Sequence, residues 1–278
     1  MNRFAALLAA IDPVEGPAVA AILEGLPGLA VHAGRPAPRS WEEEAFGACE
    51  LSLREGPPAL RLAFSLDPAR LRPGSLPRLV QALGADPSPV AFLEGHLQVG
   101  LEGGSPRRVK VYTYPDRQRP GRFRTVLEQL AQNLGLSLPD VEGIAFAAVD
   151  LLPEGGRLKL YRECRTVEEA LAVLPPGSPL AAVLRAFPLQ EGQAPAVVSA
   201  RLGPAGPVDT TLHLRLGRVR PEPVAGPELS ARLAALRAQA AALDLLFQPT
   251  YLSWLDGPQR ARTLYGQLHR RQVLPFAI

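Results

Sequence analysis

Stretches that alternate apolar and polar side chains recur along this chain, and they come in pairs. In Ala48–Arg54, Cys49, Leu51 and Leu53 point one way, and Glu50, Ser52 and Arg54 point the other. Gly56-Pro57-Pro58 turns the chain, and Leu60–Leu66 alternates again, which predicts a hairpin. The second pair is Gly95–Leu101 and Arg108–Tyr114, joined by Glu102-Gly103-Gly104. The third joins Ile144–Leu151 to Arg157–Tyr161 through Pro153-Glu154-Gly155-Gly156. In the fourth, Ala196–Leu202 meets Thr210–Leu216 through Gly203–Pro207. The last pair is Tyr251–Leu255 and Arg260–Tyr265 around Asp256-Gly257, a strong hairpin turn. A helical tail is the other reading of that final segment.

Between the pairs the apolar period becomes helical. Helices are expected at 3–11, 17–24, 75–83 (with Ser75 as cap), 121–134, 166–174, 178–187 and 227–246. The pairs start near Ala48, Gly95, Gly143, Pro195 and Pro249, a period of about fifty residues, which marks a repeated supersecondary unit. Five such units give about ten antiparallel strands in one α+β domain over 1–278. If the sheet closes, its apolar face lies under the helices and its polar face lines a ligand-sized lumen. An open sheet with a wet polar face is the alternative. Tyrosines on the polar face favour the lumen.

Composition adds one sharp feature. Of 30 Lys plus Arg, only Lys110 and Lys159 are lysines, and both stand in the text apolar-Lys-apolar-Tyr. Arg61 and Arg215 occupy similar text about one repeat away on either side. The four read as equivalent cations projecting inward at one height. Net charge is only +3 and no basic run or aromatic–basic patch occurs, so no nucleic-acid partner is expected. Cys49 and Cys164 have neither metal nor disulfide-framework spacing, so a reduced, cytoplasmic protein is the default. The short apolar run at 4–11 is broken by Asp12-Pro13 and reads as an amphipathic helix rather than a leader. With no apolar run near 18 residues, no membrane span is expected. A monomer is the expected state.

The order of elements resembles the ABBA barrel of soluble prenyltransferases, and the match is best at 141–174. There, Glu142–Leu151, a turn, Gly156-Arg157-Leu158-Lys159-Leu160-Tyr161 and a helix are similar to text in aromatic prenyltransferases. Residues 107–174, and Glu50 opposite the basic Arg61, also resemble the branch that prenylates ribosomal peptides. The resemblance implies an isoprenyl diphosphate donor and an aromatic small-molecule or peptide acceptor. It carries over most directly to Lys110 and Lys159 as diphosphate ligands, with Arg61 and Arg215 beside them. Tyr112, Tyr161 and Tyr265 would shield a carbocation, with Trp254 a weaker candidate. Glu50 would be the general base, and His213 and Glu163 are secondary candidates.

Each assignment has a plainer counterpart. The cations could be solvated strand charges, the tyrosines ordinary packing, and Glu50 a salt-bridge partner of Arg61. A non-catalytic barrel for an anionic or amphipathic ligand needs the same basic lumen. The chain has no Asp-Asp pair, no phosphate-binding Gly loop and no ligand-spaced histidines, so the sequence calls for no cofactor. A Mg²⁺ carried on the diphosphate is compatible with this, because it needs few protein ligands.

Overall fold

The computed structural model describes residues 3–24, 49–56, 61–66, 74–95, 97–103, 108–116, 119–152, 155–188, 196–204, 206–256 and 261–270. The Pro- and Arg-rich stretch 33–40, the run Glu42-Glu43-Glu44 and His96 lie outside them. Ten strands form five hairpins: β1 (Cys49–Arg54) with β2 (Arg61–Leu66), β3 (Leu97–Glu102) with β4 (Arg108–Thr113), β5 (Ile144–Leu152) with β6 (Gly155–Cys164), β7 (Ala196–Gly203) with β8 (Gly206–Arg215), and β9 (Leu245–Asp256) with β10 (Arg262–Arg270). Every neighbour is antiparallel, and β1 pairs with β10, so the sheet is a closed barrel. Closure removes both exposed edges of the sheet.

Among the described residues the helices are α1 (Arg3–Ile11), α2 (Gly16–Glu24), α3 (Ser75–Ala82), α4 (Pro120–Asn133), α5 (Val167–Val173), α6 (Leu180–Ala186), α7 (Glu222–Ala225) and α8 (Pro227–Ala242). They cover the outside. Leu229, Leu233, Leu236 and Ala240 make one buried stripe of α8, which packs on β9 and β1. The outward strand residues Leu62, Val99, Val111, Val149, Leu158, Leu212 and Leu264 join the same apolar shell. The core is therefore the layer between sheet and helices, and the polar strand face is left for the lumen.

Local details differ from the sequence reading. Gly74, at φ 78, occupies the N-cap position of α3 and no side chain caps it, so Ser75 is the first helical residue. The final helix stops at Ala242 rather than 246, because Asp244 turns at φ 62 into a β9 that starts six residues earlier than expected. The tail is the fifth hairpin, not a helix.

The β9–β10 ladder passes over Thr250 of β9, between the pairs Tyr265–Tyr251 and Gly266–Pro249. A Cβ on Gly266 would meet Phe247 at 2.4 Å and the Gln248 carbonyl oxygen at 2.6 Å. Gly266→Ala is expected to lower stability by about 1–3 kcal/mol, as overpacking does. Thermal denaturation checks this, and an unchanged melting temperature would contradict the crowding.

Candidate functional site

Alternate residues of each strand face the lumen, so each second strand contributes side chains two residues apart. On β4 these are Lys110 and Tyr112, with Tyr114 just beyond the strand; on β6 they are Lys159, Tyr161 and Glu163. On β8 they are Thr211, His213 and Arg215, and on β10 Thr263, Tyr265 and Gln267. The lumen is thus layered: cations, then rings, then carboxylates and amides.

In the cation layer, Lys110 Nζ lies 2.9 Å from Asp150, and Arg61 lies 3.3 Å from Glu102. Arg201 pairs with Asp209. Lys159 Nζ donates to Thr211 Oγ1 at 3.0 Å. Arg61 Nη1 and Arg201 Nε are buried and have no hydrogen-bond partner among the described residues. Buried guanidinium N–H groups without acceptors are costly, and an anion would satisfy them.

These charges set one another's titration. Burial opposes the Lys110 charge, but its neighbours, Asp150 first among them, together more than offset that and raise its pKa. The Asp150 carboxyl is pushed up by burial, yet Lys110, Lys159 and Arg201 hold it below its usual value. Lys159 fares differently: burial and the neighbouring Lys110 charge push it down to about 7.

The ring layer is continuous. Tyr112 and Tyr161 centroids are 6.2 Å apart, Tyr161 and His213 5.7 Å, and His213 and Tyr265 6.0 Å. Lys110 lies 5.8 Å from the Tyr112 ring and Lys159 5.5 Å from the Tyr161 ring. Burial raises the Tyr112 and Tyr161 phenols, so both stay neutral at ordinary pH. Phe146 stacks on Tyr161 at 4.2 Å and on Tyr114 at 5.2 Å. An irregularity in β5 between Ile144 and Phe146 precedes this stack, and Phe146 faces inward with Ala148 and Asp150.

Beyond the rings, Glu50, Gln98, Glu163 and Gln267 line the cavity. Glu50 pairs in register with Gln267 and Ala63, and the carboxylate ion-paired to Arg61 is Glu102. Tyr114 Oη donates to Gln98 Oε1 at 3.0 Å. Burial raises the Glu163 pKa, partly offset by Arg215 and Arg165.

The structure brings Glu50, Tyr112, Tyr161, Tyr265, His213 and Glu163 to one cavity, with Arg61, Lys110 and Lys159 at its charged end. Two expectations are corrected. Arg215 is not at the height of the lysines: the hydrogen bond from Lys159 puts Thr211 there. Arg215 is four residues further on, about 13 Å along the strand, and its field falls on Glu163. Trp254 points outward, because Ser253 meets His213 inside the lumen and the next residue along the strand, paired with the outward Leu212, falls on the helix side. It packs edge-on against Phe187 at 6.0 Å. Arg262 also faces out and donates to Glu55 at 2.8 Å, so Thr263 holds the cation position of β10. Arg201 and its partner Asp209 were missed. The period-two phase of β7 from Val197 through Ser199 could have found Arg201.

No protein-family model and no curated protein matches the sequence. Solved structures do match in shape. The crystal structure of 5-dimethylallyltryptophan synthase from Streptomyces coelicolor aligns with TM-score 0.64 at 18% identity, over 98% of this chain and 97% of that one. The 6-dimethylallyltryptophan synthase of Micromonospora olivasterospora, solved with DMASPP and Trp, aligns with TM-score 0.61 at 20% identity, over 95% of each chain. The fold is the ABBA barrel. NotF in complex with brevianamide F and DMSPP shares it, with TM-score 0.61 at 14% identity, over 98% of this chain and 93% of that one. The five-hairpin ABBA reading of the sequence is therefore the observed architecture.

The depressed Lys159 pKa has a measurable sign. Between about pH 7 and its ordinary value of 10.5, the folded chain holds Lys159 neutral while the unfolded chain keeps it protonated. The unfolded chain binds more protons there, so this group makes stability rise with pH across that window. Lys159→Met is expected to melt above the parent near pH 6.5, with the gap closing towards pH 10. Thermal denaturation at several pH values checks this, and a pH-independent gap would contradict it.

Proposed function

We propose that this barrel transfers an isoprenyl group, dimethylallyl or geranyl, from its diphosphate to an aromatic small molecule or a peptide side chain. The observation that carries the reading is the order of layers: buried cations with unsatisfied N–H groups, then a neutral aromatic belt, then carboxylates. The shared fold supports it, since relatives in shape were solved with DMASPP and Trp and with DMSPP and brevianamide F.

In this reading the diphosphate oxygens accept from Arg61, Lys110, Lys159 and Arg201. The allylic C–O bond breaks and its electron pair leaves with the diphosphate, whose growing charge the cations stabilise. The allylic cation forms against the faces of Tyr112, Tyr161 and Tyr265, each contributing about 2 kcal/mol when desolvated. The acceptor enters from the Glu50 side, its ring on the Tyr114–Phe146–Tyr161 wall. Its π electrons form the new bond to carbon, and Glu50 takes the proton that is lost. Glu163 and Arg215, at the same end, orient the acceptor. Mg²⁺ arriving with the diphosphate would add charge stabilisation; the residues above act without being its ligands.

Purified protein incubated with dimethylallyl or geranyl diphosphate and an acceptor panel of tryptophan, tryptophan-containing peptides and tyrosine peptides is expected to give products heavier by one prenyl group. Glu50→Gln is expected to lower kcat by about 10²–10⁴-fold. In calorimetry, the Lys110→Ala, Lys159→Ala double variant is expected to lose donor binding. Tight donor binding with no product from any acceptor would instead favour a ligand-binding barrel, and no binding at all would sink the donor site.

A further inference from the structure

The cations of the lumen are wetter than the rings beside them. The side chains of Arg61, Lys110 and Arg201 are 18%, 24% and 29% exposed, whereas Tyr161 is 5% exposed and its pair Ser199 0%. The cavity at the helix-linked end reaches the rings, and among the described residues none of the four cations lines it. The solvent that touches the cations therefore comes from the hairpin-turn end. Three more arginines stand at that end. Arg108 and Arg157 each precede a lysine by two residues, so they share its phase and lie about 7 Å nearer the turns. Arg108 pairs in register with Glu102, and Arg157 with Asp150. Arg54 lies 3.9 Å from Glu102. Arg108 is exposed and Arg157 half-buried. Cations thus run from the surface inward to Arg61 Nη1 and Arg201 Nε, the buried atoms without a hydrogen-bond partner among the described residues.

We propose that the hairpin-turn end is a separate port for the diphosphate donor, with Arg54, Arg108 and Arg157 as its capturing rim, while the acceptor uses the Glu50 end. This rests on the prenyl-transfer reading. A donor entering from the turns moves tail-first: its apolar chain slides between the rings and its diphosphate stops among the cations. A donor entering from the other end would bring its diphosphate past Glu50 and Glu163 and then through the rings. There the anion would shed water before it met a cation, which is costly. The field points the same way, since seven cations and three carboxylates (Glu102, Asp150 and Asp209) face the lumen at the turn end among the described residues. A charge-lined opening of this kind draws in an oppositely charged ligand. The port adds no bond chemistry. After the allylic C–O bond breaks, inorganic diphosphate leaves by the way it came, and the prenylated product leaves by the other end. Donor and acceptor then never have to pass one another.

The test uses the full chain and the non-ionising dimethylallyl thiolodiphosphate, with its association followed by stopped-flow protein fluorescence. In protein already saturated with the best acceptor of the panel, the association rate is expected to stay within about twofold of its value in free protein. One shared mouth would instead slow it in proportion to the acceptor excess, about twentyfold at twenty times the acceptor Kd. Arg108→Glu with Arg157→Glu is expected to cut the association rate about tenfold at low salt, an effect that fades at about 0.5 M salt. The same reversal on the outer helix α4, Arg122→Glu with Arg124→Glu, is expected to change it by less than about twofold; both arginines are exposed. If the rim variant does not fold, the acceptor experiment on the parent decides, and if no acceptor binds, the charge reversals decide. An association rate that falls with acceptor excess, or that answers to the α4 reversal as strongly as to the rim reversal, overturns the port and leaves the functional reading standing. A parent that does not bind the thiolodiphosphate overturns the functional reading first.

Discussion

Positive charge inside a closed sheet is the constraint on which this molecule turns. Arg61, Lys110, Lys159 and Arg201 face the lumen, and Glu102, Asp150 and Asp209 neutralise them only in part. Burying a cation is costly unless hydrogen bonds and counter-charges compensate. Here the compensation is incomplete, as the unsatisfied Arg61 and Arg201 nitrogens and the depressed Lys159 show. The barrel tolerates this because its stability comes from elsewhere, the dry leucine- and valine-rich layer between strands and helices. Separating the two jobs on the two faces of one sheet requires strict alternation and a closed edge.

That alternation is why much of the fold was legible in the sequence. A one-residue slip would turn Lys110 and Tyr112 outward and Val111 inward, so the register is written in each strand. The repeat of about fifty residues, the two lysines and the tyrosines two positions later all follow from it. The misses have the same origin. In Leu212-His213-Leu214-Arg215-Leu216, the cation looks like the sibling of Lys159, but the ring position is His213 and the cation position is Thr211. Arg215 and Thr211 share a phase, and only the pairing between strands sets the height. Trp254 was a matter of phase itself: β9 runs from Leu245 to Asp256, and its inward positions show only once its partners are known. Arg201 escaped because the repeat drew attention to second strands, and it lies on a first strand.

In the proposed reaction, the layering would let a cation-rich cavity host a reactive cation. Arg61, Lys110, Lys159 and Arg201 lie at one end, and the rings separate them from Glu50, Glu163 and Arg215. The rings are kept neutral, the phenols by burial and His213 by burial and the two lysine charges. Charge thus runs along the lumen from the cation layer through neutral rings to an end where Glu50 and Glu163 meet Arg215. A reaction that moves an electron pair towards one end and a proton towards the other runs down that gradient.

The most direct measurement is a crystal structure of the protein with a non-ionising dimethylallyl thiolodiphosphate. The account predicts diphosphate oxygens within hydrogen-bond distance of Arg61 Nη1, Arg201 Nε, Lys110 and Lys159, with the prenyl chain between Tyr112, Tyr161 and Tyr265. A diphosphate bound elsewhere, or a lumen that stays without it at saturating ligand, would contradict it.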